Sequence, residues 1–91
     1  MDREIHIEAP LNHPCYTGHF PGNPIVPGVV LLDLVVGALG IGAPRALDSV
    51  KFHRALKPGE RFTLRYQQAA KVTFRCFVDD QLVAEGTLSF A

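Results

Sequence analysis

Between Phe20 and Pro44 the chain reads FPGNPIVPGVVLLDLVVGALGIGAP, and Asp33 is its only charged residue. A stretch so poor in charge has to be covered. A lone carboxylate inside it is costly to desolvate, so it is expected to have a task. Desolvation at such a place favours the neutral, proton-bearing acid. The run and its lead-in fall into two parts. Asn12 to Pro27 holds four prolines (14, 21, 24, 27) and two glycines (18, 22), which makes a stiff, irregular backbone. Pro27-Gly28 then opens an apolar segment from Val29 to Leu39. Its β-branched residues leave a buried strand as the rival reading. Its length, its start after proline and its end in Gly40-Ile41-Gly42-Ala43-Pro44 favour a helix.

The remaining segments follow a period of two. Glu4 to Ala9 (EIHIEA) alternates, with Ile5 and Ile7 inward. Leu47 to Leu56 alternates loosely, with Val50 and Phe52 on one face. Lys57-Pro58-Gly59-Glu60 is a turn. Phe62, Leu64 and Tyr66 mark the next strand, Val72 to Val78 another, and Leu82 to Phe90 the last. Asp79-Asp80 is a candidate hairpin turn between the last two. The sum is an α+β layout: one helix packed on one face of an antiparallel sheet whose strands could wrap it, in a single domain over residues 1–91.

Ninety-one residues bury little surface, and the apolar helix needs cover on all sides, so a homodimer or larger assembly is expected. Nine basic residues balance nine acidic ones, which argues against nucleic acid as the main partner. Eight of the nine lie between Arg45 and Arg75, against two acids, so a local basic face for an acidic protein is one reading and a solvated sheet face the other. Cys15 and Cys76 fit no ligand spacing, nor do His6, His13 and His53, so no metal is expected. The charged, alternating N-terminus is no signal peptide, and two isolated cysteines then read as reduced thiols of a cytoplasmic protein. Ile25 to Leu39 is too short to span a bilayer.

Three residues carry the candidate chemistry. An imidazole such as that of His19 can accept a proton near neutrality. Asp33 can supply an acid, and a base and an acid in contrasting environments recur in catalysis. Gly28 stands at a helix start, where a backbone N–H is free and the dipole favours negative charge, so it can polarise a carbonyl oxygen.

Gly18 and the run His19-Phe20-Pro21-Gly22-Asn23-Pro24-Ile25-Val26-Pro27-Gly28 together resemble the GHFPGxPxxPG signature of the hot-dog-fold 3-hydroxyacyl-[acyl carrier protein] dehydratases. Asp33 stands fourteen residues after His19, the place of that family's acid. Most one-function members carry Glu there, and the dehydratase/isomerase branch carries Asp. Val50-Lys51-Phe52-His53-Arg54, Lys57-Pro58-Gly59-Glu60 and Val78 to Gly86 extend the likeness across nearly the whole chain. The chain departs from the pattern at Gly37, where the family often has Gln, and it is shorter than typical members.

The resemblance implies a hot-dog fold whose protomers pair edge to edge. It implies a tunnel at the dimer interface, with His19 from one chain and Asp33 from the other, and Gly28 binding the thioester oxygen. Phe20, Pro27 and Val29 would line the substrate, and Arg54, Lys57, Arg61 and Arg65 would receive the carrier protein. The reaction implied is dehydration of a 3-hydroxyacyl thioester to a trans-2-enoyl thioester. It needs no cofactor beyond the phosphopantetheine arm of the acyl carrier protein, and it belongs to fatty-acid or polyene biosynthesis. A Cys15/His19 nucleophile is disfavoured by the signature. The alternatives are a non-catalytic hot-dog partner subunit or acyl-binding module of a heteromeric dehydratase, and a hot-dog thioesterase.

Overall fold

The computed structural model describes residues 2–14 and 25–90. Among them are β1 (Arg3–Glu8), α1 (Gly28–Leu39), β2 (Ala46–Phe52), β3 (Arg61–Gln68), β4 (Val72–Val78) and β5 (Gln81–Ser89). The strands form one antiparallel sheet in the order β1-β3-β4-β5-β2, so β1 and β2 are its edges. The helix reading of Val29 to Leu39 holds, and so does the period-two reading of the strands. The sheet and helix α1 make the hot-dog architecture.

Alternation sets the buried face. Phe62, Leu64 and Tyr66 of β3, Val72, Phe74 and Cys76 of β4, and Ala84, Gly86 and Leu88 of β5 point to one side. Val30, Leu31, Val35 and Leu39 of α1 complete that core, with Ile5 and Ile7 of β1 packed against it. Each fully buried aliphatic or aromatic side chain contributes about 1.5–3 kcal/mol of transfer free energy. The helix ends where Gly40 turns left-handed at φ 67°, its N–H donating to the Val36 carbonyl.

Turns follow the punctuation of the sequence. The Glu60 N–H donates to the Lys57 carbonyl at 3.1 Å, with Pro58 second and Gly59 third at φ 80°, the residue types a type II turn requires. Asp79-Asp80 joins β4 to β5 in two residues, and Asp79 takes φ 52°, a conformation that Asp tolerates. The strand expected over Leu47 to Leu56 stops at Phe52. There the His53 and Arg54 N–H groups turn to the Val83 carbonyl, at 2.8 and 3.3 Å.

Strand β2 is fastened in two ways. Asp48 is an extra residue between the pairs Leu47–Leu88 and Ser49–Thr87. Its carboxylate accepts a hydrogen bond from Ser89 Oγ and lies 3.2 Å from Lys71 Nζ, and these partners, Ser89 foremost, hold it below the usual aspartate range. Gly86 lets β2 approach: a Cβ there would strike the Ser49 carbonyl oxygen and lie 2.9 Å from the Phe74 ring. Gly86→Val is therefore expected to destabilise the chain by about 1–3 kcal/mol, with β2 losing amide protection first. Urea unfolding with hydrogen exchange checks this. An unchanged midpoint would show that β2 has slack.

Candidate functional site

The N-terminus of α1 opens onto a cavity of about 440 Å³, lined by Ile25, Val26, Gly28, Leu31 and the Phe52–Leu56 segment. Local sequence builds it. Pro27 caps the helix in an extended conformation (φ −58°, ψ 147°), with its carbonyl accepting from the Val30 and Leu31 N–H groups at 3.0 and 3.1 Å. Among the described residues no side chain caps the helix, and no acid stands in its first turn. The amides of Gly28 and Val29 precede the first intrahelical bond, so the helix itself gives them no acceptor, and that of Gly28 stands at the cavity. The Val26 N–H donates to the Leu56 carbonyl at 2.6 Å and ties the entry of the helix to the opposite wall.

Gly28 is a glycine for a visible reason. A Cβ there would lie 2.7 Å from Phe52 Cζ, so the half-exposed Phe52 ring rests against the helix start. Beside it, His53 Nε2 lies 2.7 Å from Glu85 Oε2 on β5. Phe52 and the His53–Glu85 pair are the residues that sequence reasoning missed as parts of this site. The pair is brought together only by the β2–β5 ladder, in which Lys51 faces Glu85.

The turn behind the cavity is held by a two-pronged ion pair. Arg54 donates to both Glu60 oxygens, at 3.0 and 2.8 Å, and to the Ala55 carbonyl at 3.1 Å. The Lys57 N–H donates to Glu60 as well. Arg54 first, then the Lys57 amide, hold the Glu60 carboxyl below the usual glutamate range, against its partial burial. A depressed carboxyl contributes stability that is complete above the ordinary glutamate range and is lost as pH falls through its folded value. Glu60→Gln is expected to lower stability near neutrality by about 1–3 kcal/mol and to flatten the acid limb of the pH profile. Asp48 still contributes on that limb. A variant with an unchanged acid limb would show that the bracket carries no pH-linked stability.

Among the described residues, Gly28 and Asp33 are not brought to one cavity. His19, Phe20 and Cys15 lie outside the described residues. Gly28 lines the cavity, with Pro27 half-buried beside it. Asp33 is not part of that lining. Contrary to the expectation of burial, it is exposed, on a stripe with Val29 (61% exposed) and Gly37. Five residues of helix turn it roughly 140° away from Gly28 and carry it roughly 7.5 Å along the axis. The helix is thus covered by the sheet on one side only.

Four of the eight basic residues of 45–75 are paired with acids among the described residues. Arg61 and Arg65 of β3 meet Glu8 and Glu4 of β1 at 3.5 and 3.2 Å, and Arg65 also lies over the Phe77 ring. Arg54 meets Glu60, and Lys71 meets Asp48. Arg54 lines the cavity and Lys57 stands exposed on the adjoining turn.

The other candidates are accounted for. His6 is exposed, near Glu4 and Thr63, and His13 is half-buried and engaged. Burial pushes the Cys76 thiol up to about 12, so it is unreactive at neutral pH. Among the described residues, no cluster of His, Cys, Asp or Glu could hold a metal ion, and no helix is long and apolar enough to cross a membrane.

Residues 2–87 match the family described as ApeI-like, ApeI dehydratase. The chain is 39% identical to the 3-hydroxyacyl-[acyl-carrier-protein] dehydratase FabZ of Thermomicrobium roseum, over all of this chain and 80% of that protein. It is 34% identical to the FabZ proteins of Actinobacillus pleuropneumoniae and Chlamydia trachomatis, over 89% and 88% of this chain and 66% and 65% of theirs. It thus spans slightly under two thirds of the length of those last two. Among solved structures, it is similar to the dehydratase heterocomplex ApeI:P from Xenorhabdus doucetiae, with a TM-score of 0.81 and 26% identity over 97% of this chain and 85% of that one. An uncharacterized protein from Erwinia carotovora shares the fold at a TM-score of 0.73 and 22% identity, over 97% of this chain and 81% of that one.

Proposed function

This chain belongs to the ApeI-like dehydratase family, and from that we propose that it dehydrates 3-hydroxyacyl thioesters carried on acyl carrier protein. The observation that carries the proposal is the helix start at Gly28: an N-terminus without a side-chain cap among the described residues, opening onto a cavity, inside a signature that supplies a base and an acid. The FabZ relatives supply the substrate class.

The reaction divides among the residues as follows. The thioester oxygen accepts the Gly28 N–H, whose alignment with the helix dipole stabilises the negative charge that develops there. That charge makes the C2 proton removable, and His19 takes it. Electrons move from the C2–H bond into a C2–C3 double bond, and the C3–O bond breaks. Asp33 gives the departing hydroxyl its proton, so water leaves and a trans-2-enoyl thioester remains. His19 then holds the proton that Asp33 lacks, and exchange with solvent resets both. No redox change occurs.

Asp33 reaches this site from a second chain. Its own cavity excludes it, it stands exposed, and the edge strand β2 presents Leu47 and Phe52 half-exposed, with Phe52 in the cavity lining. Pairing of two β2 edges would cover them and bring a second α1 across. Carrier contact by Arg54, Lys57, Arg61 and Arg65 is part of the same proposal; Arg54 lines the cavity, Lys57 stands on the adjoining turn, and the other two lie on β3. The chain needs no cofactor of its own for this route.

A second reading is a partner subunit in a heteromeric dehydratase, and the ApeI:P heterocomplex favours it. Incubation with a 3-hydroxyacyl pantetheine thioester separates the readings. Growth of enoyl-thioester ultraviolet absorbance without free thiol is the expected result. Release of free thiol would instead make the chain a thioesterase, and no reaction from the chain alone would favour the partner subunit.

A further inference from the structure

We infer that Gly37 sets which acyl groups the site accepts, by leaving room beside Asp33 for bulk on the carbon next to C3. The inference rests on the dehydratase reading and names its substrate class: 3-hydroxyacyl thioesters branched at C4, accepted alongside straight chains.

A glycine in a helix interior calls for a reason, because it loses more backbone freedom on folding than alanine does. The usual reasons are missing at Gly37. It is not among the glycines with positive φ, so its backbone suits any residue. A Cβ built on it meets nothing within 4 Å among the described residues. The contrast with Gly28 and Gly86 is sharp, since a Cβ at those positions would strike Phe52 and Phe74. What Gly37 makes room for therefore lies outside the described chain.

Its position says what that is. Gly37 follows Asp33 by one helical turn on the same exposed stripe. Side chains four apart on a helix start about 5–6 Å from each other, a span of a few carbon–carbon bonds. An acid at Asp33 that serves the hydroxyl on C3 places the carbons attached to C3 within reach of position 37. A side chain there would occupy the space of a C4 branch, while a straight chain could still pass.

The test uses the full chain, Gly37→Ala and Gly37→Leu, with straight and 4-methyl-branched 3-hydroxyacyl pantetheine thioesters. Gly37→Leu is expected to lower the ratio of kcat/KM, branched over straight, by about tenfold or more, and Gly37→Ala by less. Gly37→Ala is also expected to raise the melting temperature by about 4 °C, since its methyl group meets no obstacle among the described residues. An unchanged ratio in Gly37→Leu would overturn the inference and leave dehydration standing. A lower melting temperature or weaker self-association in Gly37→Ala would also overturn it, by showing that the glycine admits another chain's backbone. If wild type dehydrates neither thioester, the dehydratase reading fails separately. Binding of the matching unreactive amide analogues then decides: a selective loss of the branched one, about tenfold in Gly37→Leu, upholds the inference, and equal loss or no binding ends it.

Discussion

Asp33→Asn is expected to lower kcat/KM for dehydration by about 100- to 10,000-fold, the range that a positioned general acid supplies. Asparagine keeps the shape of the side chain and removes the proton that the leaving hydroxyl requires. The substitution isolates chemistry from folding because Asp33 is exposed and makes no hydrogen bond among the described residues. Its removal should therefore change stability by no more than about 0.5 kcal/mol. Steady-state kinetics and a thermal melt on one preparation give both values. A variant with near-normal turnover would remove Asp33 from the mechanism. A large drop in stability would show that its role is structural, in this chain or across an interface.

Mixing two inactive variants gives a second large effect. His19→Ala and Asp33→Asn should each be inactive alone. If each site draws His19 and Gly28 from one chain and Asp33 from the other, a mixed dimer holds one doubly damaged site and one intact site. Random exchange of subunits in a two-fold dimer should then restore about a quarter of wild-type activity. The geometry motivates this number. Gly28 opens onto its cavity while the exposed Asp33 stands on another side of the same helix, so within one chain these two do not face the same cavity. Co-refolding the variants and assaying the mixture measures it. If the mixture stays inactive after subunit exchange is demonstrated, the base and the acid come from the same chain.

Much of the fold was legible because local rules agreed with the tertiary outcome. Pro27-Gly28 and Gly40 bound the helix, Pro58-Gly59 made the expected turn, and alternation located the inward faces of β3, β4 and β5. The site was legible in part. Gly28 stands where its neighbours in sequence implied. The exposure of Asp33 was hidden, because hydrophobic patterning shows that a face needs covering without saying whether this chain covers it. The pairing within the basic surplus of 45–75 was hidden for a related reason. Its counter-charges Glu4 and Glu8 lie far away in sequence and arrive only through the β1–β3 register. Phe52 and His53 acquire their places from β2–β5 pairing and from the extra residue at Asp48, which no short-range pattern encodes.

The central claim is the loss of water from a carrier-bound 3-hydroxyacyl group. Mass spectrometry of 3-hydroxyacyl carrier protein, incubated with the purified chain and with His19→Ala, tests it most directly. The account predicts that the carrier loses the mass of one water with the wild-type chain, keeps its acyl group, and is unchanged with the variant. An unchanged carrier with both proteins across several acyl lengths, or a carrier stripped of its acyl group, would contradict it.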